Sequence, residues 1–296
     1  MAELYLGVMR TSKKTGKDIT QYLCWCVQIA AMNYAKHQGR SDILLWEKRN
    51  TNAVVAGPLI HITWLIDSMN PVRVFVGFDQ AEAVAYHTLV QSLIDNSSVP
   101  LWIMPLVRGH LATLKYTRPR GPLDSTDFSI SRFMVPNICN YRGWAIFLDC
   151  DMLFRGDVAE LIEQVDPRYA VMVKKHDHRP VEGRKFLGAE QTRYARKNWS
   201  SLMLFNCEQC TALTPEYIND AQGLDLHQFA WLRDEQIGSI AGAWNLLVGY
   251  DKYDPQAKLV HFTKGTPCFN DYRRQEYADE WERVYRKQMH KGMEWA

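Results

Sequence analysis

From residue 71 onward, short apolar runs alternate with amphipathic stretches in which hydrophobic residues recur three and four positions apart. The apolar runs predict strands at 72–78, 101–107, 144–148, 169–173, 202–205 and 258–262. The amphipathic stretches predict helices at 80–96, 128–140 and 158–165. Strands separated by helices indicate an α/β fold in which a mostly parallel sheet is covered by helices on both faces.

The two ends of the chain differ from this regular part. The tail places Tyr277, Trp281, Val284, Tyr285, Gln288 and Met289 on one helical side, so residues 271–296 are predicted to form a C-terminal helix after a domain spanning 71–270. Residues 1–70 have no clear period and form an N-terminal extension of unclear role. It is an appendage, a partner-binding segment or an extension from an early start codon.

Composition narrows the class of protein. Hydrophobic residues make up 47% and charged residues 23%, which excludes a disordered or collagen-like chain. Lysine plus arginine number 35 against 33 acidic residues, so bulk charge does not imply nucleic-acid binding. Seven cysteines, an odd number, are typical of reduced thiols in a cytoplasmic protein. The uncharged run at residues 51–66, like every other uncharged run in the chain, is shorter than the about 20 residues of a membrane span, so no transmembrane segment is expected.

Two carboxylates directly follow the apolar strand at 144–148. Asp149 and Asp151 are separated by Cys150 and followed by the apolar Met152-Leu-Phe154. Carboxylates this close repel each other unless a cation lies beside them, and oxygen ligands suit Mg²⁺ or Mn²⁺, which can also contact a diphosphate. The alternative is a strand-end turn in which aspartate bonds the local backbone.

A histidine lies near the end of the predicted strand at 258–262. His261 precedes Thr263-Lys264-Gly265, a polar loop whose N–H groups and ammonium can hold phosphate oxygens. A lone histidine on an apolar strand is more often a core group than a ligand. In wound α/β sheets, however, ligands bind outside the carboxyl ends of the strands, and both Asp149 and His261 fall at strand ends. Together these residues predict a diphosphate–metal site.

Residues 72–269 resemble a glycosyltransferase of the GT-A fold, most closely glycosyltransferase family 8 and its bacterial relatives. The resemblance lies in an ordered set of motifs: Arg73-Val-Phe-Val-Gly-Phe-Asp79, Ser131-Arg-Phe-Met-Val-Pro136, Leu148-Asp-Cys-Asp151, Ser200-Ser-Leu-Met-Leu-Phe-Asn206, Asp234-Glu-Gln236 with Trp244-Asn245, and His261 through Pro267. It implies a nucleoside-diphosphate sugar as donor, UDP-sugar first, a saccharide or other hydroxyl as acceptor, Mn²⁺ or Mg²⁺ as cofactor, and retention of anomeric configuration.

The resemblance also implies roles for single residues. Asp149, Asp151 and His261 would hold the metal, and Asp234 and Glu235 would orient the sugar or act as base or nucleophile. Donor contacts are expected from Phe78, Asp79, Arg132, Asn198, Trp244, Lys264 and Gly265. Several departures affect sugar preference and mechanism. Glu235 replaces the family's glutamine, and Trp199 stands where the family has asparagine. In the closing motif the gap from His261 to Gly265 is one residue longer, Thr266 replaces a lysine, and Cys268 replaces the tryptophan. If Glu235 deprotonates the acceptor, the outcome is inversion.

Other functions fit less of the pattern. A haloacid-dehalogenase-like phosphohydrolase also places Asp-x-Asp after a strand, but near the start of its domain and with a late acidic pair, and this chain has no Asp-Asp pair. A nucleotidyltransferase would need a glycine-rich loop after Phe78. A non-catalytic nucleotide-sugar or glycan-binding protein remains an alternative because the closing motif is altered. The basic stretch 168–197 is either a solvated loop or a loop beside the site.

Overall fold

The computed structural model describes residues 71–122, 124–177 and 195–289, together with two short strand segments at 183–184 and 190–191. The extension at 1–70, most of the basic stretch between 178 and 194, and the end of the chain from 290 lie outside the described residues. Among the described helices, none combines the length and the apolar character that crossing a lipid bilayer requires.

Six strands form the central sheet. They are β1 (Val72–Phe78), β2 (Leu101–Val107), β3 (Trp144–Leu148), β5 (Val171–Val173), β8 (Leu202–Asn206) and β9 (Ile237–Ser239). Their order across the sheet is β2-β1-β3-β8-β5-β9. Strand β8 runs antiparallel to both of its neighbours, and the other paired strands are parallel. The predicted α/β fold with a mostly parallel sheet is confirmed.

A second, three-stranded sheet lies at one end of these strands. It consists of β4 (Met152–Phe154), β10 (Leu246–Leu247) and β11 (Leu259–His261), in the order β10-β11-β4. The antiparallel pair β11–β4 places His261 opposite Met152. A hairpin-like pair of two-residue strands, β6 (Gly183–Arg184) and β7 (Glu190–Gln191), completes the described strands.

The helices are shorter than the periodicity predicts. They are α1 (Ala83–Asp95), α2 (Val135–Ile138), α3 (Val158–Ile162), α4 (Pro215–Asp220), α5 (Gly223–His227) and α6 (Ala278–Lys287). The helix predicted at 128–140 is wrong in extent: a 3₁₀ turn occupies Ser131–Met134, and only α2 is α-helical. Pro136 is tolerated in the first turn of α2 but not in a helix interior, and the positive φ of Asn140 and Tyr141 ends the element.

Burial of apolar strands holds the sheets together. All five residues of β8, for example, are buried, as are the last four of β3. The smaller sheet has its own core, in which Tyr277 and Trp281 of the C-terminal segment are buried against β10 and β11. The amphipathic side predicted for that segment is therefore confirmed at Tyr277 and Trp281, whereas Met289 is 49% exposed. The five described cysteines are free thiols.

Candidate functional site

The connection between the two sheets brings the predicted metal ligands together. Asp149 and Asp151 lie between the end of β3 and the start of β4, and the β11–β4 pairing carries His261 to the same place. One ligand atom from each of the three side chains lies within 4.8 Å of the other two. The Nε2 atom of His261 is 3.1 Å from Oδ1 of Asp151.

Backbone hydrogen bonds hold the Asp-Cys-Asp segment from both sides. The N–H of Asp149 donates to the carbonyl of Ser201 at 2.9 Å, and the N–H of Phe262 donates to the carbonyl of Asp151 at 2.9 Å. The segment is thus tied to the turn that precedes β8 on one side and to the residue that follows β11 on the other. A site on two anchored strand ends keeps its side chains in a narrow range of positions.

The orientation of the His261 ring is set by Asn245. Nδ1 of His261 lies 2.9 Å from Oδ1 of Asn245, whose Nδ2 donates to Oγ of Ser201 at 2.9 Å. An amide that donates to Ser201 presents its oxygen to the ring, so Nδ1 carries the proton of this hydrogen bond. The lone pair of a neutral imidazole then lies on Nε2, toward Asp151. Asn245 is fully buried, and sequence reasoning did not assign it a role.

The three side chains fit a hard divalent cation. Two carboxylates and an imidazole nitrogen that converge within a few ångströms form a donor set that Mn²⁺ and Mg²⁺ accept, and the second-shell hydrogen bond on Nδ1 is the usual partner of a metal-binding histidine. The side chains of Asp149 and Asp151 remain 15% and 13% exposed, which leaves an approach for a substrate oxygen.

Arg132 adds a buried positive charge to the site. Its Nη1 is 2.7 Å from Oδ1 of Asp149 and 2.9 Å from the carbonyl oxygen of Ser200, and its Nε donates to the carbonyl of Ser129 at 2.9 Å. The guanidinium lies over the rings of Phe128 and Phe147, at 5.4 and 5.0 Å from their centroids. Arg132 therefore neutralises one of the two aspartates.

A histidine that the sequence analysis did not single out lies next to this arginine. Oγ of Ser200 is 2.8 Å from Nδ1 of His227, at the end of α5. Burial lowers the pKa of His227 well below its usual range, and the positive charges of Arg132 and Lys197 lower it further. The imidazole is therefore neutral at physiological pH.

The residues predicted to contact the donor occupy several positions around this centre. Phe78 packs edge-on against Tyr86, with ring centroids 5.3 Å apart. Asp79 accepts hydrogen bonds from the N–H groups of Ala81 and Asp127, both at 2.9 Å. These bonds join the end of β1 to the loop that precedes Arg132. The roles of Phe78 and Asp79 toward a nucleotide stay predictions.

Lys264 and Gly265 lie in the loop that follows β11. Nζ of Lys264 is 4.3 Å from the centroid of the Tyr250 ring, and the carbonyl of Gly265 accepts a hydrogen bond from Gln275 at 2.8 Å. The carbonyl of Asn198 accepts from Oγ of Ser201 at 2.7 Å, so Asn198 belongs to the group of residues around Asn245. A role of these residues in diphosphate or sugar binding stays a prediction.

Trp244 lies in the core and not in the site. The side chain is 1% exposed, packs against Phe154 with centroids 6.1 Å apart, and lies beneath Nζ of Lys258. A ring that is buried in this way has no free face on which a sugar could stack. The prediction that Trp244 contacts the donor is therefore wrong. The position after the Asp-Glu-Gln triplet does not distinguish a stacking residue from a core residue.

The two residues predicted as catalytic are exposed. Oδ1 of Asp234 pairs with Nη2 of Arg196 at 2.6 Å, and Oε1 of Glu235 pairs with Nε of Arg233 at 2.8 Å. The backbone N–H of Glu235 and the Arg233 side chain lower the pKa of the Glu235 carboxyl, which is therefore ionised at neutral pH. Neither carboxylate belongs to the group of ligand atoms formed by Asp149, Asp151 and His261.

Comparison with known proteins places the fold. No protein-family model matches the chain. The apo structure of the bifunctional glycosyltransferase WbbM superposes with a TM-score of 0.51 at 13% identity, over 73% of this chain, which spans half of the WbbM chain. A galactosyltransferase LgtC structure, in complex with donor and acceptor sugar analogs, superposes with a TM-score of 0.49 at 10% identity, over 76% of this chain and 99% of LgtC. The fold is that of the GT-A glycosyltransferases.

A sequence comparison finds a relative of much higher identity than these two structures have. Protein CDI of Arabidopsis thaliana is 45% identical over 219 residues, which cover 71% of this chain and 85% of Protein CDI. An identity of this degree over most of both chains shows that the chain belongs to the family of Protein CDI.

Proposed function

We propose that this protein is a divalent-metal-dependent glycosyltransferase of the family 8 type. It moves a sugar, in the first instance a hexose, from a nucleoside-diphosphate sugar such as a UDP-sugar to an acceptor hydroxyl. The observation that carries the proposal is the convergence of Asp149, Asp151 and His261 at one end of a mostly parallel GT-A-type sheet. Ligands of wound α/β sheets bind at this position, outside the carboxyl ends of the strands.

In this proposal Asp149, Asp151 and His261 hold Mn²⁺ or Mg²⁺. When bound, the cation supplies positive charge that stabilises the diphosphate as it leaves the sugar. Asn245 keeps Nε2 of His261 free to coordinate, and the backbone hydrogen bonds from Asp149 and Phe262 keep the two carboxylates in place. Arg132 balances the charge of Asp149 in a water-poor setting, where electrostatic interactions are strong.

Residues outside the metal triad, by which we mean Asp149, Asp151 and His261, would carry out the remaining steps of the reaction. Lys264, in the loop that follows β11, adds positive charge on the diphosphate side. Asp234 and Glu235 orient the donor sugar or accept a proton, for which the ionised state of Glu235 is the suitable one. We expect retention of anomeric configuration, on the pattern of family 8, and inversion if Glu235 deprotonates the acceptor.

The experiment that tests the proposal needs no known acceptor. The protein is incubated with a panel of nucleoside-diphosphate sugars and Mn²⁺, and free nucleoside diphosphate is measured. Slow, metal-dependent release from one donor is the expected result. Release of inorganic phosphate from phosphomonoesters instead would make the protein a phosphohydrolase, and thermal stabilisation by a nucleotide-sugar without release would make it a binding protein. Either outcome overturns the proposal.

A further inference from the structure

One buried carboxyl beside the metal triad lacks part of its hydrogen bonding. Glu82 is the last residue of the 3₁₀ turn Gln80–Glu82, which follows β1 and leads into α1. Its side chain is 3% exposed, and within the described part of the chain its Oε1 has no hydrogen-bond partner. Burying a carboxyl oxygen without a hydrogen bond costs free energy of folding. We therefore expect Oε1 to have a hydrogen-bond donor when the site is occupied.

The surroundings of Glu82 show where that partner would lie. The thiol of Cys150, the middle residue of the Asp-Cys-Asp segment, hydrogen-bonds to the carboxyl. Burial raises the pKa of Glu82 well above its usual range, and the charges of Asp151, Asp149 and Asp79, in that order, raise it further. The contact with Cys150 therefore places the Glu82 carboxyl beside the Asp-Cys-Asp segment, on the side of α1.

The three neighbouring aspartates have partners that account for their charge. Asp79 accepts from two backbone N–H groups and lies 3.6 Å from Nη1 of Arg120. Asp149 pairs with Arg132, and Asp151 lies 3.1 Å from His261. Glu82 is the fourth carboxyl of this group, and its Oε1 is the oxygen that these contacts do not explain.

We propose that Glu82 is an outer-sphere residue of the metal centre, whose Oε1 accepts a hydrogen bond from water bound to the cation held by Asp149, Asp151 and His261. The carboxyl lies outside the group of ligand atoms within 4.8 Å of one another, so a water, not a direct bond, connects it to the cation. Mg²⁺ and Mn²⁺ sites of this kind keep several waters. The inference rests on the proposed function only in assuming that a divalent cation binds this triad.

A positioning role of this kind predicts a specific effect on metal affinity. Outer-shell partners typically change metal affinity 10- to 100-fold, so we expect Glu82→Gln to weaken Mn²⁺ binding by about 10-fold or more. The amide keeps the size of the side chain but cannot ionise when the cation binds. Glu82→Asp keeps the charge on a shorter side chain, and we expect it to bind Mn²⁺ more tightly than Glu82→Gln does.

The test uses the full-length protein without nucleotide. Mn²⁺ affinity is measured from the electron paramagnetic resonance signal of free Mn²⁺, and the spectrum of the bound ion reports its ligand field. The matched control is Glu163→Gln, a change at an exposed glutamate at the end of α3. Circular dichroism of the metal-free variants establishes that each is folded, and we expect Glu82→Gln to be at least as stable as wild type, because a buried amide carries no charge.

The outcomes separate the two hypotheses. Wild type and Glu163→Gln that bind Mn²⁺ alike, with Glu82→Gln weakened and its bound-ion spectrum altered, support the role of Glu82. Equal Mn²⁺ affinity in wild type and a folded Glu82→Gln overturns that role and leaves the proposed function standing. Failure of the wild-type protein to bind Mn²⁺ overturns both.

Discussion

The Nδ1 atom of His261 lies 2.9 Å from Oδ1 of Asn245, and this contact decides which ring nitrogen of His261 faces Asp151. The two residues are 16 positions apart: Asn245 immediately precedes β10, and His261 is the last residue of its parallel neighbour β11. Asn245 adopts a left-handed φ of 59°, which asparagine tolerates better than most residues. The same residue thus makes the turn before β10 and orients a metal ligand.

Replacing Asn245 is expected to weaken metal binding, although Asn245 is not one of the metal-coordinating residues. Asn245→Ala removes the acceptor for Nδ1–H, so the imidazole is free to rotate, and Mn²⁺ affinity should fall by about 10- to 100-fold. Asn245→Asp keeps an acceptor and the tolerance for a left-handed φ, and it should bind Mn²⁺ more tightly than Asn245→Ala. Isothermal titration with Mn²⁺ measures both, and equal affinity in wild type and Asn245→Ala would show that the ring is held by other contacts.

Removing the charge of Asp151 should abolish the metal-dependent reaction. Asp151→Asn exchanges an anionic ligand for a weak neutral one, and we expect donor hydrolysis to slow by at least ~10³, or about 4 kcal/mol of transition-state stabilisation. The control is Asp220→Asn, at the exposed end of α4. Nucleoside diphosphate release is measured for both at saturating Mn²⁺. Turnover by Asp151→Asn close to that of wild type would exclude the metal mechanism.

Loss of Arg132 should destabilise the protein even without metal. Arg132→Met leaves the Asp149 carboxylate without the guanidinium 2.7 Å away, and removing one partner of a buried ion pair typically costs about 3–5 kcal/mol. Arg286→Met is the control, because Arg286 pairs with Glu282 at the surface, where such pairs contribute less than about 1 kcal/mol. Urea denaturation gives the free energy of unfolding of each variant. An Arg132→Met variant as stable as Arg286→Met would mean that Asp149 is compensated elsewhere.

His227 should make stability depend on pH. Its folded-state pKa is lowered, so below about pH 6.5 the unfolded chain binds a proton that the folded chain does not. Stability contributed by this group is complete above pH 6.5 and falls as the pH falls, by about 1 kcal/mol between pH 7.5 and pH 5.5.

The variant His227→Gln isolates this effect, because glutamine does not titrate and can still bond Ser200 Oγ. We expect the free energy of unfolding of wild type to fall by about 1 kcal/mol more than that of the variant over this pH interval. Urea denaturation at both pH values measures the difference. Parallel pH dependence in the two proteins would show that folding does not lower the pKa of His227.

The strands could be predicted from the sequence because each is a short apolar run that the fold buries. β1, β2 and β3 begin and end at the predicted residues. The helix predicted at 128–140 failed because hydrophobic periodicity does not register the backbone restriction of Pro136 or the left-handed φ of Asn140. The pattern of apolar residues along the chain therefore predicts which segments are buried better than it predicts their backbone geometry.

The candidate site divides in the same way. The sequence by itself determined the chemistry of the metal ligands: two carboxylates after a buried strand and a histidine at the end of another are visible without coordinates. Only the tertiary structure decided how they meet, through the pairing of β11 with β4, strands whose residues lie about a hundred positions apart along the chain. It alone assigned Trp244 to the core, Asn245 to the histidine ring, and Glu82 to the buried side of the Asp-Cys-Asp segment. The physical reason is that ligand type follows from the local residue, whereas distance, burial and hydrogen-bond partner follow from packing between distant segments.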